Sequence, residues 1–429
     1  MVEVQQFNPE FMENIVKLIG VMTGSVENQP SERPFVAYMN AMAAYIRRVL
    51  DATVEGKPLV YNHIALFTEL FYAFDMQPLC PDIWSSVANQ ADQNHGPTFI
   101  DVAENAGVFH DLCAIGRVTV GKVLTGGIPK PTVQVIHTQP CDSTIMEYSM
   151  VAELYSDVPC FIIDSPNWDT PECFDYYTTQ IKELISFLEK HTGKKLDRDR
   201  LKEVIEESNR AIEYLIGWTE LKKVVPCPVN GRFSNFNFPG NLIGLGHPSM
   251  TEVYKILFEC AKELADRGEG AHVREDLRGV WWQLHPNWDT ELLGWLQDKF
   301  GLVKVIELTG YVTSVMIDTS SYESILRGLA ERWHTSIPMG RQGKGPADLY
   351  INDLLHVCGE FKSDTVICFG HAGCRYMKGL QGLVREACRD YGIPYFYVDI
   401  DALDPRFTPK ETVRAQIDDF LTNVVLQLR

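Results

Sequence analysis

No two cysteines in this 429-residue chain stand in a C-x-x-C spacing, although eleven cysteines are present. That absence disfavours a zinc ribbon, a thioredoxin-type redox site and the compact cysteine runs of ferredoxins. The start of the sequence, Met1-Val-Glu-Val-Gln-Gln-Phe7, lacks a basic region followed by an apolar core, so no signal peptide is expected. No apolar stretch approaches the length of a membrane span. Without a secretory signal, the cysteines read as reduced thiols of a cytoplasmic protein instead of a disulfide framework. Positive charge is scarce: 39 Lys and Arg stand against 57 Asp and Glu, a net charge of −18. A nucleic-acid partner needs a basic face and is therefore excluded, and an anionic substrate has to be met by local cations. Low-complexity tracts are absent, as is a phosphate-binding GxxxxGK[ST] loop.

The composition that remains, 45% hydrophobic and 22% charged, is that of a globular protein. The length calls for two or three domains. One unit occurs twice. Thr132-Val-Gln-Val-Ile-His137, a short loop, Cys141, a periodic stretch to Tyr155 and Pro159-Cys-Phe-Ile-Ile-Asp164 form the first copy. Thr365-Val-Ile-Cys-Phe369, a Gly-rich loop, Cys374, a periodic stretch to Tyr391 and Pro394-Tyr-Phe-Tyr-Val-Asp399 form the second. Both follow the βαβ grammar of a parallel sheet, and beyond them no internal repeat is evident. Ligands of such sheets bind at the carboxyl ends of the strands, where Cys141 and Cys374 fall. A cysteine that opens a helix also feels the positive end of its dipole, which is expected to lower its pKa toward the thiolate. Two such thiolates from two half-molecules point to a metal or iron–sulfur centre between domains.

Residues 1–56 carry helical periodicity and form an N-terminal helical region, followed by a short strand at Lys57–Tyr61 and a helix over 66–74. Residues 57–230 are assigned to a first α/β domain and 231–429 to a second, the breaks at Pro226-Cys-Pro-Val-Asn-Gly231 and on to Gly246 marking the crossing. The stretch 172–222 is long and amphipathic, with Asp197 placed to cap a new helix. In the second domain a helix over 248–267 precedes strands at 279–282, 303–307, 365–369 and 395–399. The expected fold is thus α/β, with two Rossmann-like parallel-sheet domains and a centre at the strand ends between them.

Three segments in order, His110-Asp-Leu-Cys-Ala-Ile-Gly-Arg117, His137-Thr-Gln-Pro-Cys-Asp142 and Gly370-His-Ala-Gly-Cys-Arg375, lead to a resemblance. With Gly392-Ile-Pro and the tail Asp401-Ala-Leu-Asp-Pro-Arg406, they are similar to the cluster-binding segments of the 2-hydroxyacyl-CoA dehydratase and benzoyl-CoA reductase family. The similarity runs from about residue 57 to the end and resembles the larger, α-type subunit. It implies a [4Fe-4S] cluster held by Cys113, Cys141 and Cys374, with the fourth iron open to water or substrate. It also implies a smaller paralogous cluster-binding subunit as partner. A separate ATP-hydrolysing activator would supply one electron at low potential, and in the dehydratases that electron makes a ketyl radical of the thioester. From the residues themselves, a three-thiolate site leaves one iron able to act as a Lewis acid.

Around this set, Cys160, Cys368 and Cys388 read as structural cysteines of strands or a helix face, as do Cys173, Cys227, Cys260 and Cys358. Cys80, in a loop after a helix, is the rival ligand. Asp82 falls where the α-type dehydratase subunits carry a Glu thought to handle substrate protons, so it is the acid–base candidate; a turn-forming Asp after Pro is the alternative. Where those dehydratases place a hydroxyl near the cluster this chain has Ile64, and the neighbouring His63 is the substitute donor. Arg341 and Lys344, in the Gly-rich loop Pro338–Pro346, are candidates for phosphate contacts of the acyl-CoA, although a solvated loop explains them equally well. Arg117 is either an anchor near the cluster or an ion-pair partner. Three functions stay open: a 2-hydroxyacyl-CoA dehydratase subunit, which is favoured, a subunit of an ATP-dependent aromatic acyl-CoA reductase, and a non-catalytic cluster carrier.

Overall fold

The computed structural model describes residues 3–313, 315–344 and 347–428. Its framework is two four-stranded sheets, every pair parallel. The first contains β1 (Leu59–Asn62), β2 (Gln77–Leu79), β3 (Val133–His137) and β4 (Cys160–Ile163) in the order β2-β1-β3-β4. The second contains β5 (Leu277–Trp281), β6 (Leu302–Glu307), β7 (Thr365–His371) and β8 (Tyr395–Ile400) in the order β6-β5-β7-β8. The order is the same in both, so the repeat seen in the sequence as two βαβ units extends to the whole sheets. The α/β reading with two Rossmann-like domains holds.

The central strands are covered on both faces by helices, which explains their unbroken apolar runs: every residue of β3, β5 and β7 is buried. Gln77–Leu79 reads as a loop in the sequence but is a strand, because Pro78 can occupy an edge, where its missing N–H costs no ladder bond. At the opposite edge of the first sheet, β4 is largely exposed. Cys160 is accordingly exposed, in contrast to its reading as a structural cysteine, whereas Cys368 and Cys388 are buried as expected. The amphipathic stretch forms two helices, Pro171–Thr192 and Arg198–Leu221. Asp197 caps the second, its Oδ1 accepting from the backbone N–H groups of Asp199 (2.9 Å) and Arg200 (3.1 Å).

Helices Glu10–Gly24 and Arg33–Glu55 pack on each other, and the second also packs on Pro248–Asp266, which lies along Arg198–Leu221. Among the described residues no helix is long and apolar enough to cross a membrane.

In each sheet the strand order reverses between two central strands, β1 and β3 or β5 and β7. Such switch points open a crevice at the carboxyl ends. Here the two crevices face one another. The halves are clamped beside them by the tail motif: the guanidinium of Arg117 donates to Glu104 and to Asp401, both at 2.6 Å. Asp401 Oδ1 also accepts from the N–H groups of Leu403 and Asp404, and Arg406 joins Asp404 to Asp101 across the domains. The backbone approaches closely at this seam, since a Cβ on Gly96 would lie 2.1 Å from the Leu403 carbonyl oxygen. The Arg117 and Asp401 side chains are both almost wholly buried. Arg117→Ala would strand a buried carboxylate and is expected to cost about 3–5 kcal/mol, read as a fall in the denaturation midpoint. An unchanged midpoint would show that the clamp does not hold the halves together.

Candidate cluster and carboxyl site

The carboxyl ends of both sheets empty into one cavity of about 110 Å³. Ile64 reaches it from beyond β1, Asp82 and Ile83 from beyond β2, and Cys141 from beyond β3. Leu284, Thr309 and Cys374 come from beyond β5, β6 and β7. Cys113 completes the wall, so the three cysteines predicted as ligands share one cavity, two from the first domain and one from the second.

Each of the three occupies the N-cap position of a helix: Cys113 before Ala114–Leu124, Cys141 before Asp142–Leu154 and Cys374 before Arg375–Asp390. None uses its side chain to cap, which leaves the sulfurs free to ligate. The loops pack tightly enough that a Cβ on Gly373 would lie 2.4 Å from the Cys113 amide nitrogen, so only glycine fits there. On the outside, Arg375 spans Asp111 (3.1 Å) and Asp142 (3.2 Å), one ion pair beside each of the other two cysteines. These charges are exposed and solvent-screened, so they align the loops more than they stabilise them.

The dipole was expected to lower the thiol pKa values, but burial outweighs it. Cys113 is pushed well above the usual thiol range by burial, then by the charges of Cys374 and Cys141. Burial likewise raises Cys374 to about 12 and raises Cys141, the latter opposed by Thr144, whose Oγ1 lies 3.3 Å from the sulfur. Without a cation beside them the three half-buried sulfurs are held as neutral thiols, and a cationic occupant would favour their thiolate forms. Among the described residues no three ligating side chains are placed to hold a single metal ion. The three cysteines share the cavity wall. Cys80, the rival ligand, stands at the N-cap position of the Pro81–Ala91 helix but does not line the cavity; its sulfur lies 3.9 Å from Asp82 Oδ2.

Asp82 is fully buried and lines the cavity, its Oδ2 accepting from Tyr148 Oη at 3.0 Å and its Oδ1 left without a hydrogen bond. Facing it is Glu147, which sequence reasoning missed. Burial, then the charge of Asp82, pushes Glu147 well above the usual carboxyl range, and burial raises Asp82 as well. Glu147 therefore holds its proton more tightly than an ordinary carboxyl, and neither of its oxygens has a hydrogen-bond partner. A Cβ on Gly116 would lie 2.9 Å from Glu147 Oε2, so that glycine makes room for the acid. One signal was available: Thr144, Glu147, Tyr148 and Val151 form the buried stripe of their helix, and Glu147 is its charged member.

The other candidates are placed differently. His63 is fully buried behind the cavity, its ring 5.1 Å from Tyr148 and 6.0 Å from His137, while Ile64 lines the wall. Burial, then the charge of His137, pushes His63 well below the usual imidazole value, so it is neutral. Arg341 makes a bidentate pair with Asp353 at 2.7 and 2.8 Å, and Lys344 is buried against Asp169. Both cations thus already have carboxylate partners, and the nearby Gln342 and Gly343 line the cavity in their place. Gly345 and Pro346 of that loop lie outside the described residues.

The sequence model of the family described as 2-hydroxyglutaryl-CoA dehydratase, D-component, matches residues 67–424. The chain belongs to this family. Among its relatives is the (R)-2-hydroxyisocaproyl-CoA dehydratase alpha subunit of Clostridioides difficile, 25% identical over 86% of this chain and 91% of that one. The alpha subunit of lactoyl-CoA dehydratase from Anaerotignum propionicum is 24% identical over 73% of this chain and 78% of its own. A benzoyl-CoA reductase subunit of Thauera aromatica is 22% identical over 92% of this chain and 95% of its own. These are subunits of enzymes of two reaction types, and this member of the dehydratase family spans most of the length of each. The family resemblance read from the three cysteine segments is therefore borne out.

Proposed function

We propose that this chain is the α-type catalytic subunit of a 2-hydroxyacyl-CoA dehydratase, converting a 2-hydroxyacyl-CoA to the enoyl-CoA and water. The observation that carries the reading is one interdomain cavity lined by three thiols and a buried carboxyl pair. Cys113, Cys141 and Cys374 are the residues that would hold a [4Fe-4S] cluster. Such a cluster, with three thiolates, supplies one-electron chemistry and an open Lewis-acidic iron.

The protein's own groups do the proton work. Asp82, positioned by Tyr148, accepts the proton that leaves carbon 3. Glu147 donates the proton needed by the departing hydroxyl, and the pair then exchanges its proton internally. Ile64, Ile83 and Phe238 surround the site with hydrocarbon, which excludes water and keeps both pKa values high. Thr144 orients the Cys141 sulfur by its 3.3 Å contact.

The partners follow from the same reading: a smaller paralogous cluster-binding subunit and a transient ATP-hydrolysing activator, in the reducing cytoplasm where eleven free cysteines remain thiols. Co-expression with that smaller paralogue is expected to yield a stable heterodimer, or a doubled one, in size measurements. Activity of this chain alone as a monomer would overturn that assembly.

A second reading has its own support. Ile64 brings hydrocarbon to the wall where the resemblance to the dehydratases implies a hydroxyl, which favours an aromatic acyl-CoA reductase. The deciding experiment is the electron count. A dehydratase recycles its electron and turns over many times per activation, whereas a reductase consumes reductant in step with product.

A further inference from the structure

The cavity at the thiols adjoins a larger one of about 400 Å³. The two share Ile83, Ser86, Phe238 and Leu284 in their walls, which form the waist between them. Ile83 and Ser86 lie one turn apart on the helix whose first turn carries Asp82. A molecule lying across the waist would thus pass directly beside the carboxyl pair.

One wall of the outer chamber is built by the N-terminal helices. Ile15, Ile19 and Met22 recur at spacings of four and three along Glu10–Gly24, and Phe35, Tyr38 and Met39 share one face of Arg33–Glu55. Tyr38 is held by stacking on Phe236, ring centroids 4.1 Å apart. Most of this wall offers hydrocarbon or thioether only. The chamber meets solvent at exposed Gln90, Arg232 and Thr290, where Arg232 is already paired with Glu32 at 2.6 Å. A rim with one paired cation is poorly suited to the several phosphate charges of a CoA headgroup, whereas the wall suits an apolar chain. The helices precede residue 67, where the family match begins.

We propose that the outer chamber receives the apolar acyl chain of the substrate, threaded past Ile83 and Ser86, and that Phe35 and Met39 set the chain length accepted. The inference rests on the acyl-CoA reading above. It is tested by calorimetric titration of the anaerobically purified protein with CoA, butanoyl-CoA, hexanoyl-CoA and octanoyl-CoA, none of which carries the 2-hydroxyl. Affinity is expected to rise roughly tenfold for each two methylenes buried. Met39→Trp fills the chamber and should flatten the step from hexanoyl to octanoyl while leaving CoA and butanoyl-CoA unchanged. Phe35→Ala enlarges it and should extend the rise to decanoyl-CoA, so the series remains decisive should Met39→Trp fail to fold. Equal affinity for all chain lengths overturns the chamber alone. Equal weakening of CoA and octanoyl-CoA by Met39→Trp would instead put the pantetheine arm there and also overturn it. Failure of every thioester to bind overturns the acyl-CoA reading together with the chamber. A chain-length series that holds while the protein, assembled with its smaller paralogue and activated, turns over no 2-hydroxyacyl-CoA leaves the chamber standing and removes the dehydratase.

Discussion

Purified without oxygen, the wild-type protein is expected to carry about one [4Fe-4S] cluster per chain, and Cys113→Ser, Cys141→Ser and Cys374→Ser each to lose it. Iron and sulfide analysis, with the visible absorbance of the cluster, reads the result. The expectation rests on three sulfurs at three helix N-caps around one cavity, none engaged in capping. Cys160 is exposed on an edge strand and Cys388 is buried in a helix away from the cavity, so Cys160→Ser and Cys388→Ser should retain the full complement. The substitution at Cys113 is the most informative, because its assignment came from the resemblance and not from a βαβ unit. Were Cys113→Ser to keep all its iron, Cys80 would have to swing past Asp82 to replace it, and the three-ligand assignment would fall.

Much of this site was legible because parallel sheets make sequence and function coincide. A strand that ends in a loop and a helix must deliver the first helical residues to the carboxyl edge, so Cys141 and Cys374 can be placed from the sequence alone. Cys113 follows no strand directly, since the Ala114–Leu124 helix enters from another helix, His95–Asn105, by way of a loop. Short strands were the weak point. The three residues of β2 look like a proline loop, yet they carry the chain to Asp82. Glu147 was missed because a glutamate within a helix is ordinarily a solvated face, and only the burial of Thr144, Tyr148 and Val151 reveals which face this one occupies. Arg341 and Lys344 illustrate the converse. Two cations in a glycine-rich loop resemble a phosphate site until Asp353 and Asp169, distant in sequence, are seen to pair with them. The dipole argument for the thiols failed on magnitude: a helix N-terminus contributes about 0.3–1 kcal/mol, less than the burial opposing it at Cys374.

Asp82→Asn is expected to keep the cluster and bind acyl-CoA, yet lose turnover by roughly 10²-fold or more, the usual scale for a general acid–base group. The amide keeps the size of the side chain and its contact with Tyr148, but cannot take up a proton. Glu147→Gln should fall by a similar factor for the complementary reason, having no proton to give. The wild-type pH–rate profile belongs to the pair, so either substitution should remove one limb of it instead of shifting both. A separate measurement identifies the buried acid without any catalysis. Folding raises the pKa of Glu147 well above its ordinary 4.5. A carboxyl with a raised folded pKa favours folding while protonated, and that contribution is lost as pH climbs from the unfolded value through the folded one. Glu147→Gln cannot ionise, so its melting temperature should gain on the wild type with rising pH and match it at pH values below the ordinary 4.5. His63→Ala, which removes a ring packed on Tyr148 and His137 behind the cavity, should lose stability before it loses turnover. Near-normal turnover in Asp82→Asn would exclude Asp82, and near-normal turnover in Glu147→Gln as well would remove the carboxyl pair from the reaction. In that case a chain whose cluster also ignores added acyl-CoA would be carrying electrons for a partner that does the chemistry.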